Sequence, residues 1–102
     1  MKPEKQRTEI AEACGWKYDD IMRRKNPLLA WMRPDGDFSD HCPDFVNDLN
    51  AMHEAESCLA GDQVDSYLGF LLEELELPWR LVRATATQKS KAFLRAKGKW
   101  TE

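Results

Sequence analysis

His53 and Glu54 stand together in PDFVNDLNAMHEAE (43–56), the opening of a zinc-protease helix. That chemistry needs His-Glu-x-x-His, because i and i+4 set both imidazoles on one face with the glutamate as base. Position 57 is Ser57, so the motif fails, and His53 is expected at the edge of a helix packing interface beside Met52. His41, Cys42, His53, Cys58 and Cys14 are ligand types that suit zinc, but no spacing matches a knuckle such as C-x2-C. His53 and Cys58 are five apart and would point about 140° apart on a helix. No metal and no cofactor is expected. Cys42 beside His41 is a neighbouring thiol and imidazole, an arrangement that in a loop does not supply the geometry of an activated nucleophile. The glycines are isolated terminators, so no phosphate-binding loop is present. No catalytic residue is assigned, and the chain is read as a non-enzyme.

Charge carries the stronger signal. Between Pro34 and Trp79 stand twelve Asp or Glu and no Lys or Arg; from Arg80 to Lys99 stand seven Lys or Arg and no acid. These blocks can pack against each other in one molecule, pair between subunits of a homo-oligomer, or face separate partners. The basic segment is the candidate site. Arg83, Lys89, Lys91 and Arg95 are expected to cluster, with Trp100 as a wall and stacking surface, and Arg80 and Trp79 nearby. A host protein with an acidic face or a small anionic ligand fits such a surface. Long duplex nucleic acid does not, because the acidic middle repels its phosphates.

The elements that must position these residues read as follows. Residues 3–14 form a helix, with Pro3 in its first turn, Ile10, Ala13 and Cys14 on one stripe, and Gly15 as its stop. Trp16 and Tyr18 fold back on that stripe, and a short helical turn follows around 18–23. Residues 28–33 (LLAWMR) read as a strand entering a Pro34-Asp35-Gly36 turn and returning through Asp37-Phe38. The 43–60 segment reads as one helix with Pro43 in its first turn. A third helix runs from Asp62, its N-cap, to about Glu76. Val64, Tyr67, Leu68, Leu71 and Leu75 make its buried face, and Phe70, Leu72 and Leu77 widen it enough for cover on two sides. Trp79–Ala84 alternates as a strand. Thr85-Ala-Thr-Gln88 is a capping box opening a last helix that buries Ala86, Ser90, Phe93 and Leu94 and stops at Gly98. Leu49, Met52, Leu71, Phe93 and Leu94 are expected to share one core.

A chain of 102 residues predicts a single domain over 1–102. The start, MKPEKQRTEI, lacks the apolar run of a signal peptide, and no window is long and apolar enough to span a bilayer, which predicts a cytoplasmic protein without a membrane segment. Three cysteines without framework spacing read as small buried residues or idle thiols.

With these elements placed, IAEACGWK (10–17), PDFVNDLNAMHEAE (43–56), ATATQKSKAFLRAKGKW (84–100) and, in support, WMRPDG (31–36) resemble the phage ABA sandwich domain family of small tailed-phage and prophage proteins. The resemblance spans about half the chain. The family has an aromatic at the position of Phe45 and a small residue with an arginine at Lys89-Ser90, where this chain has lysine. The resemblance implies an α+β fold, a small antiparallel sheet with helices packed on both faces. It also implies a phage context and the host bacterial cytoplasm. It implies no reaction. The functional expectation is therefore an accessory protein that binds and blocks a host protein, in takeover or anti-defence. The alternative is a sponge for a small phosphorylated ligand such as a nucleotide signal.

Overall fold

Two glycines with left-handed backbone close the first and last helices. In the computed structural model, which describes residues 1–75, 81 and 83–101, helix α1 spans Pro3–Ala13 and ends at Cys14. The Gly15 amide, at φ +94, bonds the Glu12 carbonyl, and the Trp16 amide bonds that of Ala11. The same paired closure ends α5 (Ala86–Ala96): Gly98 (φ +72) bonds Arg95, and Lys99 bonds Leu94. This pattern satisfies carbonyls that the last turn leaves orphaned, and glycine enters the left-handed region without a Cβ clash. The capping box at the start of α5 forms as the sequence predicts. Thr85 Oγ1 accepts from the Gln88 amide at 3.2 Å, and Gln88 Oε1 accepts from the Thr85 amide at 3.0 Å.

The fold is α+β, with five helices and one small antiparallel sheet among the described residues. Strands β1 (Lys17–Tyr18), β2 (Trp31–Met32) and β3 (Phe38–Ser39) pair in the order β1-β2-β3. Tyr18 lies opposite Trp31, and Met32 opposite Phe38. Tyr18 therefore belongs to a strand and sets its ring edge-on to Trp31, 5.3 Å between centroids, instead of folding back on α1. The short helical turn is α2 (Asp20–Lys25), capped by the Asp19 carboxylate on two amides. The strand expected over 28–33 is confined to Trp31–Met32. Pro27–Leu29 wind into a 3-10 turn because Pro27 fixes the first φ and the Asn26 side chain caps the Leu28 amide. The Pro34-Asp35-Gly36 turn forms as expected, with Gly36 at φ +96.

The largest correction falls on 43–60. Helix α3 covers only Leu49–Glu56, and Asp48 is its N-cap, its carboxylate accepting from the Asn50 and Ala51 amides. Residues 43–47 are held as a turn because neighbouring side chains claim their carbonyls. Arg7 donates to the Cys42 and Pro43 carbonyls, Ser90 to that of Phe45 and Thr87 to that of Val46. The change of phase leaves Phe45 buried and moves Leu49 out of the core, at 41% exposure.

Helix α4 runs from Gly61 to Leu75, so Asp62 lies inside it and not at its cap. Ala60 supplies the first acceptor carbonyl, and Gln63 Oε1 accepts from the Ala60 amide. Of the expected strand at 79–84, residues 79, 80 and 82 lie outside the described residues, as does Leu77. Leu81 and Arg83 are in a 3-10 turn and not a strand.

Helix α5 is the hub, packed on α1, α3 and α4. Phe93, Leu94, Ile10 and Met52 are fully buried there with Leu71, Leu75 and Tyr67, and Trp31 brings the sheet to the same core. No described helix is long and apolar enough to cross a membrane.

Candidate functional site

The basic residues of α5 face the acidic residues of α3 and α4. Lys89 Nζ lies 3.4 Å from Glu56 Oε1, Lys91 Nζ 3.4 Å from Glu74 Oε2, and Arg95 3.3 Å from Glu73 Oε2. Apolar stems and rings back the same contacts. The Arg95 guanidinium stands 4.2 Å from the Phe70 ring centroid, and Lys91 Nζ 5.4 Å from that of Trp100. Lys97 donates to the Cys58 carbonyl at 2.7 Å. The two charge blocks thus meet inside one molecule. Arg83 is exposed in the turn before α5, and Trp100 is partly buried against the core. The structure brings Lys91 and Trp100 together as expected, while Lys89, Lys91 and Arg95 each face a different glutamate.

This pairing alters what charge reversal will do. From the sequence, K91E/R95E should leave the fold intact, since both positions lie outside the core. With Glu74 and Glu73 as partners, the double variant replaces two attractions by two repulsions. It should lose about 1–2 kcal/mol of stability, read as a lower Tm that recovers partly in high salt. An unchanged Tm at low salt would show that these pairs do not form in solution.

Glu56 is the residue that sequence reasoning passed over. Its second oxygen accepts from the Tyr67 hydroxyl at 2.9 Å while the first faces Lys89, so one carboxylate ties α3, α4 and α5 together. Burial, and then the Glu56 charge and hydrogen bond, push the Tyr67 phenol well above its ordinary range.

A cleft of about 390 Å3 opens elsewhere, between the end of α1, the β2–β3 turn, the 43–45 turn and the last half of α3. Trp16 and Arg33 form one wall, with the guanidinium 5.7 Å from the indole centroid. Cys14 and Cys58 lie together in it, with Glu54 and Asp35 among the other lining groups. Neither histidine and none of Arg83, Lys89, Lys91 and Arg95 lines it. Burial pushes the Cys14 thiol up, and the adjacent Cys58 pushes it further. Burial also raises Cys42, against the opposing pull of Arg7. Neither thiol carries the depressed pKa of an activated nucleophile. His53 is exposed, and His41 Nδ1 lies 2.5 Å from Asp40. No group of three or more His, Cys, Asp or Glu among the described residues is placed to hold a metal ion.

The outer face of α4 is the other candidate. Tyr67, Leu71 and Leu75 are buried, but Val64, Leu68 and Leu72 are 39, 42 and 37% exposed. The outer row is offset from the inner one by three residues, about 60° around the helix. The expected cover on two sides is therefore absent among the described residues. Asp65 flanks the row, Asp62 and Glu73 lie further round, and α4 contains no lysine or arginine.

No family model, curated protein or solved structure matches the chain.

Proposed function

We propose that the chain is a non-enzymatic accessory protein of a phage that binds and blocks a host protein in the bacterial cytoplasm, with the outer face of α4 as its contact surface. The exposed Val64–Leu68–Leu72 row carries this reading. Three apolar side chains at i, i+4, i+8 spacing form a ready seat for another apolar surface. The acids around the row choose the partner's rim, which must be cationic. A second copy in symmetric contact would set acid against acid, and so is disfavoured as the occupant. The phage context rests on the sequence resemblance of 10–17, 43–56 and 84–100. The sponge reading loses support because Lys89, Lys91 and Arg95, the bases it needs, are engaged by Glu56, Glu74 and Glu73.

The test is affinity capture from host lysate with wild type and Leu68→Asp in parallel, followed by titration of the captured protein. Leu68 lies outside the core, so the variant should keep its Tm. Loss of a central apolar anchor should weaken binding roughly 30-fold or more. Raised salt should weaken the wild-type complex as well, because the rim charges are screened. Equal affinity of the two proteins for the same partner removes α4 as the contact surface.

A further inference from the structure

Cys14 ends α1 and Cys58 follows α3, 44 positions later in the chain, yet both line the same cleft. Cys14 Sγ lies 3.9 Å from the Ala55 carbonyl oxygen, and the Cys58 amide bonds that same oxygen at 2.9 Å. One carbonyl thus fixes the two residues beside each other. Lys97 holds the Cys58 carbonyl from the other side. Both cysteines are partly exposed, whereas Cys42 is buried. Two adjacent thiols without a third ligand among the described residues lack the closed coordination of a structural metal site. They have what a disulfide needs: proximity, a path to solvent and fixed backbones on both sides.

We propose that Cys14 and Cys58 form a reversible redox pair, closed by a small-molecule disulfide of the glutathione class, which staples the end of α1 to the end of α3 across the cleft. The Cys58 thiolate attacks one sulfur of oxidised glutathione and releases the first glutathione as its thiolate. Cys14 then gives up its proton, attacks the Cys58 sulfur and expels the second glutathione. Two S–H bonds are lost and one protein S–S bond is gained. Two electrons pass to glutathione disulfide, and both protons end on the two glutathiones released. Cys58 acts first because Cys14 is the thiol that burial and its neighbour keep protonated. Its place beside Cys58, fixed through the Ala55 carbonyl, lets Cys14 resolve the mixed disulfide. The bond constrains the unfolded chain between residues 14 and 58, which is where a long-loop disulfide acts. No residue of α4 lines the cleft, so partner binding on α4 and closure of the pair are separable.

The experiment equilibrates the full-length protein with oxidised and reduced glutathione, quenches with acid and maps the peptides without reduction. A Cys14–Cys58 cross-link as the main product, with Cys42 free, is the expected result. The Tm should rise by roughly 10 °C and return when dithiothreitol is added. Cys58→Ala should abolish the rise. The map of the wild-type protein does not depend on how that variant folds. A cross-link to Cys42, a bond between molecules, or a glutathione adduct that persists on Cys58 without closure each overturns the proposal.

Discussion

Phe93→Ala should lower stability by about 3–5 kcal/mol, because it removes the largest fully buried side chain and leaves a cavity at the centre of the helix packing. Phe93 sits on α5, which α1, α3 and α4 all contact, so no single neighbour can close the gap by a local shift. For a domain of this size the loss is a large part of the total stability. The Tm should fall by roughly 15 °C or more. Leu68→Ala on the outer face of α4 is the control, expected to change stability by about 0.5 kcal/mol or less. An unchanged Tm for Phe93→Ala would place the side chain outside the core and undo the arrangement around α5.

Local signals with one interpretation were legible in the sequence. Pro3 and Gly15 bracket α1, Pro34-Asp35-Gly36 turns the hairpin, and Thr85-x-x-Gln88 with Gly98 brackets α5. Each depends on atoms within a few residues. The 43–60 segment had two competing starts, Pro43 with Asp44 and then Asp48. Tertiary contacts decide between them. Arg7, Thr87 and Ser90 take carbonyls that a helix beginning at Pro43 would need for itself. Those donors lie about 40 residues away in the chain, beyond any local pattern. A single phase shift then exposes Leu49 and buries Phe45.

The charge blocks were visible as composition, but composition does not say which block faces which. Packing α5 on α4 sets Lys91 by Glu74 and Arg95 by Glu73, and so favours internal compensation over a free basic face. Helical periodicity on α4 placed Tyr67, Leu71 and Leu75 correctly. It assigned Val64 and Leu68 to the core as well, because an apolar residue one row over fits the same period. The Cys14–Cys58 adjacency had no sequence signal, since the two thiols meet only through the Ala55 carbonyl once α1 and α3 are in place.

Glu56→Ala tests the network that sequence reasoning missed. Its carboxylate is the shared partner of a Lys89 side chain only 12% exposed and of the buried Tyr67 hydroxyl. Truncation leaves an ammonium and a phenol without that acceptor. Removing one member of a buried charged pair is costly, but Glu56 is itself 30% exposed, so water offsets part of the loss. The expected cost is about 2 kcal/mol. Glu56→Gln keeps an acceptor for Tyr67 and loses only the charge, so it should cost less. Lys89→Ala in the Glu56→Ala background should add little, and a double-mutant cycle would read the coupling directly. Alkaline pH gives an independent readout. The Tyr67 phenol is raised in the folded protein above its unfolded value of 10.0, so its contribution is complete below that pH and is lost as pH rises beyond it. Burial gives the larger part of the rise and Glu56 the rest, so in Glu56→Ala the alkaline loss of stability should end at a lower pH than in wild type. An alkaline loss that ends at the same pH in both proteins, together with additive losses in the cycle, would mean that the carboxylate meets neither the phenol nor the Lys89 ammonium in solution and that α3 is held to α4 and α5 by apolar packing alone.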